Sequence, residues 1–215
     1  MPRVLALLLL PCLVACATVP QAADPASDAP EVQRLQTASF KDAASYLEAL
    51  QIWRTPEDVN AWIGAKFEYD MSRAMLLSET QRGESGKFPI FEPKEFFAAP
   101  SGVCVDLSRF AIETLEHIAP DVKASYLMIE FAPITIGSNT LRLHWLASFQ
   151  RNGEYYFFAD SKRPGHIAGP YASTQDFIEQ YARYRGRQIV AFRELETYQR
   201  KQRTLVPKQA REERP

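Results

Sequence analysis

The chain has 215 residues, 46% of them hydrophobic, with 25 lysines and arginines against 26 aspartates and glutamates. That is enough apolar material for one good core, and nothing in the sequence suggests two. A formal net charge of −1 gives no global case for nucleic acid as a partner.

Arg3 precedes an apolar run over residues 4–10, and Leu13-Val14-Ala15-Cys16 follows. The run is too short to span a bilayer and ends in small residues, so residues 1–15 read as a signal peptide. Residues 17–30 are rich in Ala, Pro, Asp and Ser without periodicity, and residues 16–38 read as a flexible tether. A single domain is expected over residues 39–198. Beyond it, residues 199–215 form a basic tail, solvated or in contact with anionic lipid head groups.

Within the domain, the pattern predicts a short helix over 39–50. Thr55-Pro56-Glu57-Asp58 then starts a helix to about residue 67, with Thr55 as N-cap and Val59, Trp62 and Ile63 inward. Helix continues over 69–81, a loop covers 82–87, and 88–97 is irregular, ending in a short helix from Pro93. Pro100-Ser101-Gly102 is a turn into a helix that begins near Cys104 and buries Leu107, Ala111, Leu115 and Ile118. The period then changes to two. Strands are expected over 123–132, 141–150 and 154–160, joined by residues 133–139 and by Arg151-Asn152-Gly153. A helix over 174–185, with Phe177, Ile178 and Tyr181 inward, and a strand over 188–192 complete an α+β domain. In it a central helix packs on an antiparallel sheet.

Leu-Val-Ala-Cys resembles a bacterial lipobox, which implies cleavage before Cys16 and lipid attachment to that residue. Ala17 in place of Asp implies release to the outer membrane, facing the periplasm. An ordinary secretory signal cut after Ala17 or Ala23 is the alternative. In the lipobox reading Cys104 is the one thiol left in an oxidising compartment, where cysteines normally pair or are avoided.

Cys104 sits at a helix start, where partial positive charge stabilises a thiolate. As a bare position it also fits an inert buried cysteine acting as a small hydrophobe. A nucleophile needs a base, and the chain has three histidines. His117 lies too far along the Cys104 helix to reach the thiol, and His166 sits in a Pro164-Gly165-His166 loop. His144 lies on the second strand, and Asp160 ends the third. With a three-residue loop Gln150 pairs with Glu154, and His144 lies opposite Asp160 at a Cβ distance of about 4.5–5.5 Å. With Asn152-Gly153 alone as the loop, the two fall on opposite faces. The three-residue register is the one expected, with both side chains on the face toward the Cys104 helix.

Gly102-Val103-Cys104-Val105-Asp106 at a helix start, His144-Trp145 on a strand and an aromatic strand closing on Asp160 together resemble the transglutaminase-like superfamily. The resemblance covers roughly residues 55–162. It implies a papain-like Cys-His-Asp fold in which Cys104 is the nucleophile, His144 the general base and acid, and Asp160 the orienter. Asp106 would then be a structural helix-start acid and Trp145 a core or cleft-wall residue.

The implied function is that of a cell-envelope lipoprotein acting on an amide bond through a thioester, by hydrolysis or acyl transfer. Peptide, peptidoglycan and other amides are open as substrates. The alternative is a non-catalytic binding or assembly module at the membrane. An imidazolium beside the helix-start thiol should make Cys104 react fast near pH 6. No metal, phosphate-loop or dinucleotide motif is present, so no cofactor is expected.

Overall fold

A computed structural model describes residues 40–81, 88–160 and 164–198. The signal segment, Cys16, the tether as far as residue 39, the loop at 82–87 and the basic tail at 199–215 lie outside the described residues.

The helices begin where side chains can accept their first N–H groups. α1 (Tyr46–Ile52) starts after Ser45, whose Oγ accepts the Glu48 N–H at 3.2 Å. That is later than the start expected at residue 39: residues 40–45 are not helical, and Ser45 supplies the cap. α2 (Pro56–Lys66) has the expected cap. Thr55 Oγ1 accepts the Asp58 N–H, and Asp58 Oδ2 accepts the Thr55 N–H, both at 3.2 Å. The continuous helix expected over 69–81 is interrupted: β1 (Glu68–Tyr69) comes first, and α3 (Met71–Leu76) restarts after the Asp70 cap. α4 (Pro93–Ala98), β2 (Ser101–Gly102) and α5 (Cys104–Ile118) follow.

The main sheet contains β3 (Ser125–Ile136), β4 (Asn139–Arg151), β5 (Glu154–Phe158), β6 (Ala168–Tyr171) and β7 (Ile189–Leu195), with α6 (Thr174–Arg185) between the last two. Its order is β6-β5-β4-β3-β7 and every pair is antiparallel. The connection expected at 133–139 is mostly strand. The β3–β4 pairing shifts between Glu130 and Ile134, where Pro133 has no N–H to give, and resumes as far as Ile136 opposite Asn139.

Both faces of the sheet are covered. Met128, Trp145, Ala147 and Phe149 pack toward α1, α2, α4 and α5, where Trp53, Trp62, Phe96 and Phe110 lie. Leu127, Ile129, Phe131 and Leu146 pack toward α6 through Phe177, Ile178 and Tyr181. Alternation along each strand delivers the two sets to opposite sides.

The β4–β5 hairpin corrects the expected register. Arg151 pairs with Glu154 and Gln150 with Tyr155, so the loop is Asn152-Gly153 alone. Asn152 has φ 55° and Gly153 φ 81°. Two left-handed residues make the turn whose twist matches its strands, and Asn-Gly is its preferred sequence. β5 also stops earlier than expected, at Phe158 opposite Ala147. Ala159 (φ 56°) and Asp160 (φ 72°) are both left-handed and take the chain out of strand alternation.

Candidate active site

Two short strands set the start of α5. The Glu68 N–H donates to Pro100 O at 2.9 Å and the Asp70 N–H to Gly102 O at 2.8 Å, pairing Tyr69 with Gly102. A side chain at position 102 would crowd its neighbours, since a Cβ there would lie 3.0 Å from the Phe96 ring and 3.1 Å from Asp106 Oδ2. Asp106 is fully buried. Its Oδ2 accepts the Val103 N–H at 3.0 Å and its Oδ1 the Phe91 N–H at 3.1 Å. Arg73 completes the arrangement, donating Nε to Oδ2 and Nη2 to Oδ1, each at 2.7 Å. One carboxylate therefore joins α3, the segment before α4 and the turn into α5. This is a structural role, and it fixes where Cys104 begins its helix.

Cys104 is a free thiol, 8% exposed. Burial, and then the nearby Asp160 carboxyl, push it up to about 12, against the N–H groups of Trp145 and Val105 that favour the thiolate. The fast reaction expected near pH 6 assumed a resting thiolate. Burial outweighs the helix start here, and the resting group is the thiol.

His144 does not face α5. It shares its side of β4 with Leu146, and its ring lies 6.3 Å from Phe131 and 6.1 Å from Tyr181, the latter stacked at 15°. Trp145, Ala147 and Phe149 are the β4 residues that fill the α5 side, which turns His144 toward α6. Cys104 and His144 are nonetheless brought to one place. Because β5 ends opposite Ala147, the earlier part of β4 has no β5 neighbour. There a cavity of about 570 Å³ is lined by Tyr69, Cys104, His144, Trp145, Arg185 and Arg187, among others.

Asp160 also reaches His144, but with its main chain. His144 Nε2 donates to the Asp160 carbonyl oxygen at 3.2 Å, and the carboxylate contact expected from the sequence is not made. The two-residue hairpin puts the Asp160 side chain out of register, and the left-handed Ala159–Asp160 pair swings the carbonyl onto the ring. A carbonyl only accepts, so Nε2 carries the proton and Nδ1 keeps an open lone pair. Burial first, and then Arg185, lower the His144 imidazole to about 3, while the Asp160 carbonyl works the other way. Burial raises the Asp160 carboxyl to about 7 against the pull of Arg185. No hydrogen bond joins Cys104 to His144 among the described residues; the hydrogen bond of the His144 ring is the one to Asp160. The site thus holds a neutral thiol and a neutral base, with the proton-accepting nitrogen of the base unoccupied.

His117 is exposed near the far end of α5 and His166 is buried, and neither lines the cavity. The sequence reading missed Tyr69, hidden in a segment read as helix, and the two arginines. Arg185-Gly186-Arg187 reads locally as bases closing a helix C-terminus, and no short-range signal turns them toward Cys104.

Residues 39–189 match the family described as transglutaminase-like domain. That stretch contains Cys104, His144 and Asp160. No curated protein matches the chain.

Proposed function

The chain belongs to the transglutaminase-like domain family, and from that premise we propose that it is a thiol-dependent acyl-transfer enzyme or hydrolase acting on an amide bond. The observation that carries this reading is the shared cavity, which brings a helix-start thiol and an imidazole with an open Nδ1 to one solvent-sized space. The Cys104 sulfur attacks the substrate carbonyl while His144 Nδ1 takes the thiol proton. The same nitrogen then gives that proton to the departing amine, leaving a thioester. Water or a second amine attacks the thioester, loses its proton to Nδ1, and the proton returns to the sulfur. Because thiol and imidazole are neutral at rest, the thiol proton has to move to Nδ1 for the sulfur to attack. The main-chain N–H of Cys104, at the start of α5, is one donor for the developing oxyanion.

The test is capture of an acyl group on Cys104 after incubation of the protein with a cell-envelope extract. Intact mass should show an adduct that hydroxylamine removes and that Cys104→Ala never acquires. A Cys104 that iodoacetamide labels only after unfolding would overturn the enzymatic reading.

The neutral resting pair, and an imidazole held by the Asp160 main chain instead of its carboxylate, favour the second reading, a non-catalytic binding or assembly module of the same fold. Under either reading the chain is an envelope lipoprotein held by lipid on Cys16, a proposal supported by the apolar run that ends in Leu-Val-Ala-Cys. Cys16→Ser is expected to accumulate as precursor or to leave the membrane fraction. A processed, membrane-bound Cys16→Ser protein would refute the anchor.

A further inference from the structure

Arg73, Arg109, Arg142 and Arg151 each hold a carboxylate. Arg185 and Arg187 hold none among the described residues. Arg185 ends α6 and Arg187 follows the left-handed Gly186 (φ 57°), so both side chains are delivered to one wall of the cavity. Each rests on aromatic faces and, among the described residues, makes one hydrogen bond to an uncharged group. The Arg187 guanidinium lies 4.4 Å from the Phe131 ring centroid and donates Nη2 to Ala132 O at 3.0 Å. The Arg185 guanidinium lies 5.7 Å from the Tyr181 centroid and donates Nη1 to the Tyr181 hydroxyl at 3.4 Å. A guanidinium has five N–H donors, so most of this capacity is unspent among the described residues.

No aspartate or glutamate lines the cavity among the described residues, and its other arginine, Arg142, is already paired with Glu79 and Glu130. Asp160 is the acid whose field reaches Arg185, but it forms no ion pair with it among the described residues. Burial and the neighbouring Arg185 charge lower the Arg187 guanidinium below its ordinary range, the direction expected of two like charges held close together. Neutralising the helix end accounts for a base within the last turn of α6, but not for Arg187 beyond it. The cavity wall also includes Met71, Leu77, Ile134 and Leu141.

We propose that Arg185 and Arg187 are the recognition site for a carboxylate on the amide substrate, whose apolar portion lies along the rest of the cavity. The assignment rests on the reading of Cys104 as the nucleophile. Guanidinium forks match a carboxylate in geometry as well as charge. A peptide's terminal carboxylate and an Asp or Glu side chain both supply this chemistry.

Iodoacetate and iodoacetamide test it, since they differ only in carrying a carboxylate or an amide. Their rates at Cys104 in the full chain are compared as a ratio, which cancels any change in thiol ionisation. The ratio should exceed that of glutathione by about tenfold, the size of one charge-assisted hydrogen bond. It should fall to the glutathione value in the Arg185→Gln/Arg187→Gln double variant and shrink with salt. An equal ratio in both proteins overturns the assignment while leaving the thiol reading intact.

If neither reagent labels native Cys104, the enzymatic reading fails and binding decides the arginines. Cys104→Ser is then titrated by calorimetry with N-acetyl-Leu-Ala, with its C-terminal amide, and with N-acetyl-Leu-Glu amide. Preference for either acid, lost in the arginine variants, supports the site and says whether a terminal or a side-chain carboxylate is held. Equal responses to all three peptides refute it.

Discussion

Asp106→Ala is expected to lower stability by about 3–5 kcal/mol, the range for removing one member of a buried ion pair. The loss has three parts. Arg73, whose side chain is 12% exposed, keeps its charge and loses its fork partner. The N–H groups of Phe91 and Val103 lose their acceptor, at about 1–3 kcal/mol for each that stays buried. The turn into α5 loses the contact that holds it. Urea denaturation should show a lower midpoint with an unchanged slope. Asp106→Ala combined with Arg73→Leu should recover part of the loss, because the stranded charge is gone. A change under about 1 kcal/mol would mean that Arg73 and both N–H groups find water instead.

The second large effect separates His144 from Asp160. His144→Ala is expected to reduce acyl transfer to Cys104 by about 10²–10⁴-fold, the usual contribution of a positioned acid–base group. Asp160→Asn should stay within about fivefold, less than roughly 1 kcal/mol. The ring is held by the main-chain carbonyl of residue 160, which the substitution keeps. Above pH 7 the Asp160→Asn protein should react slightly faster, since the Asp160 carboxylate is one of the groups that raise the Cys104 thiol. Loss of most activity in Asp160→Asn would show that the carboxylate takes over the ring during turnover.

Stability against pH gives a second readout. The folded His144 value of about 3 lies below its ordinary 6.5, so its contribution is complete above pH 6.5 and drains away as pH falls toward 3. Asp160 has the opposite sense. Raised from 3.8 to about 7, it favours the folded state most below pH 3.8 and loses that contribution as pH climbs to 7. The two oppose each other across the window between. Removing His144 leaves one of them, so His144→Ala should gain stability relative to wild type on acidification from pH 6.5, by up to about 1.4 kcal/mol per unit. Parallel stability curves for the two proteins would mean that His144 titrates in the folded protein as it does in the unfolded chain.

The helix starts at Thr55 and Cys104 were legible because capping and amphipathic spacing are local. The α+β class followed from the change of period after Ile118. The hairpin was half legible. Asn152-Gly153 has the residues of a two-residue turn, but a preceding Arg151 admits a longer loop equally well, and one residue of difference reverses every face. The left-handed Ala159 could not be foreseen, because alanine has no preference for that region and tertiary packing imposes it. Arg185 and Arg187 were illegible as site residues for a similar reason. Only the fold brings the end of α6 beside Cys104.

The carbonyl that holds His144 belongs to no side chain, so selection on the imidazole's orientation acts on backbone shape and not on the carboxylate of residue 160. Asparagine or glycine at that position, which also accept φ 72°, would leave the ring undisturbed. The same conformational constraint falls on its neighbour. A β-branched residue at Ala159 would resist φ 56° and carry the carbonyl away, whereas glycine would adopt that angle freely. Comparative searches that look for a carboxylate after the aromatic strand will therefore overlook sequences that orient the same base through small residues at this bend.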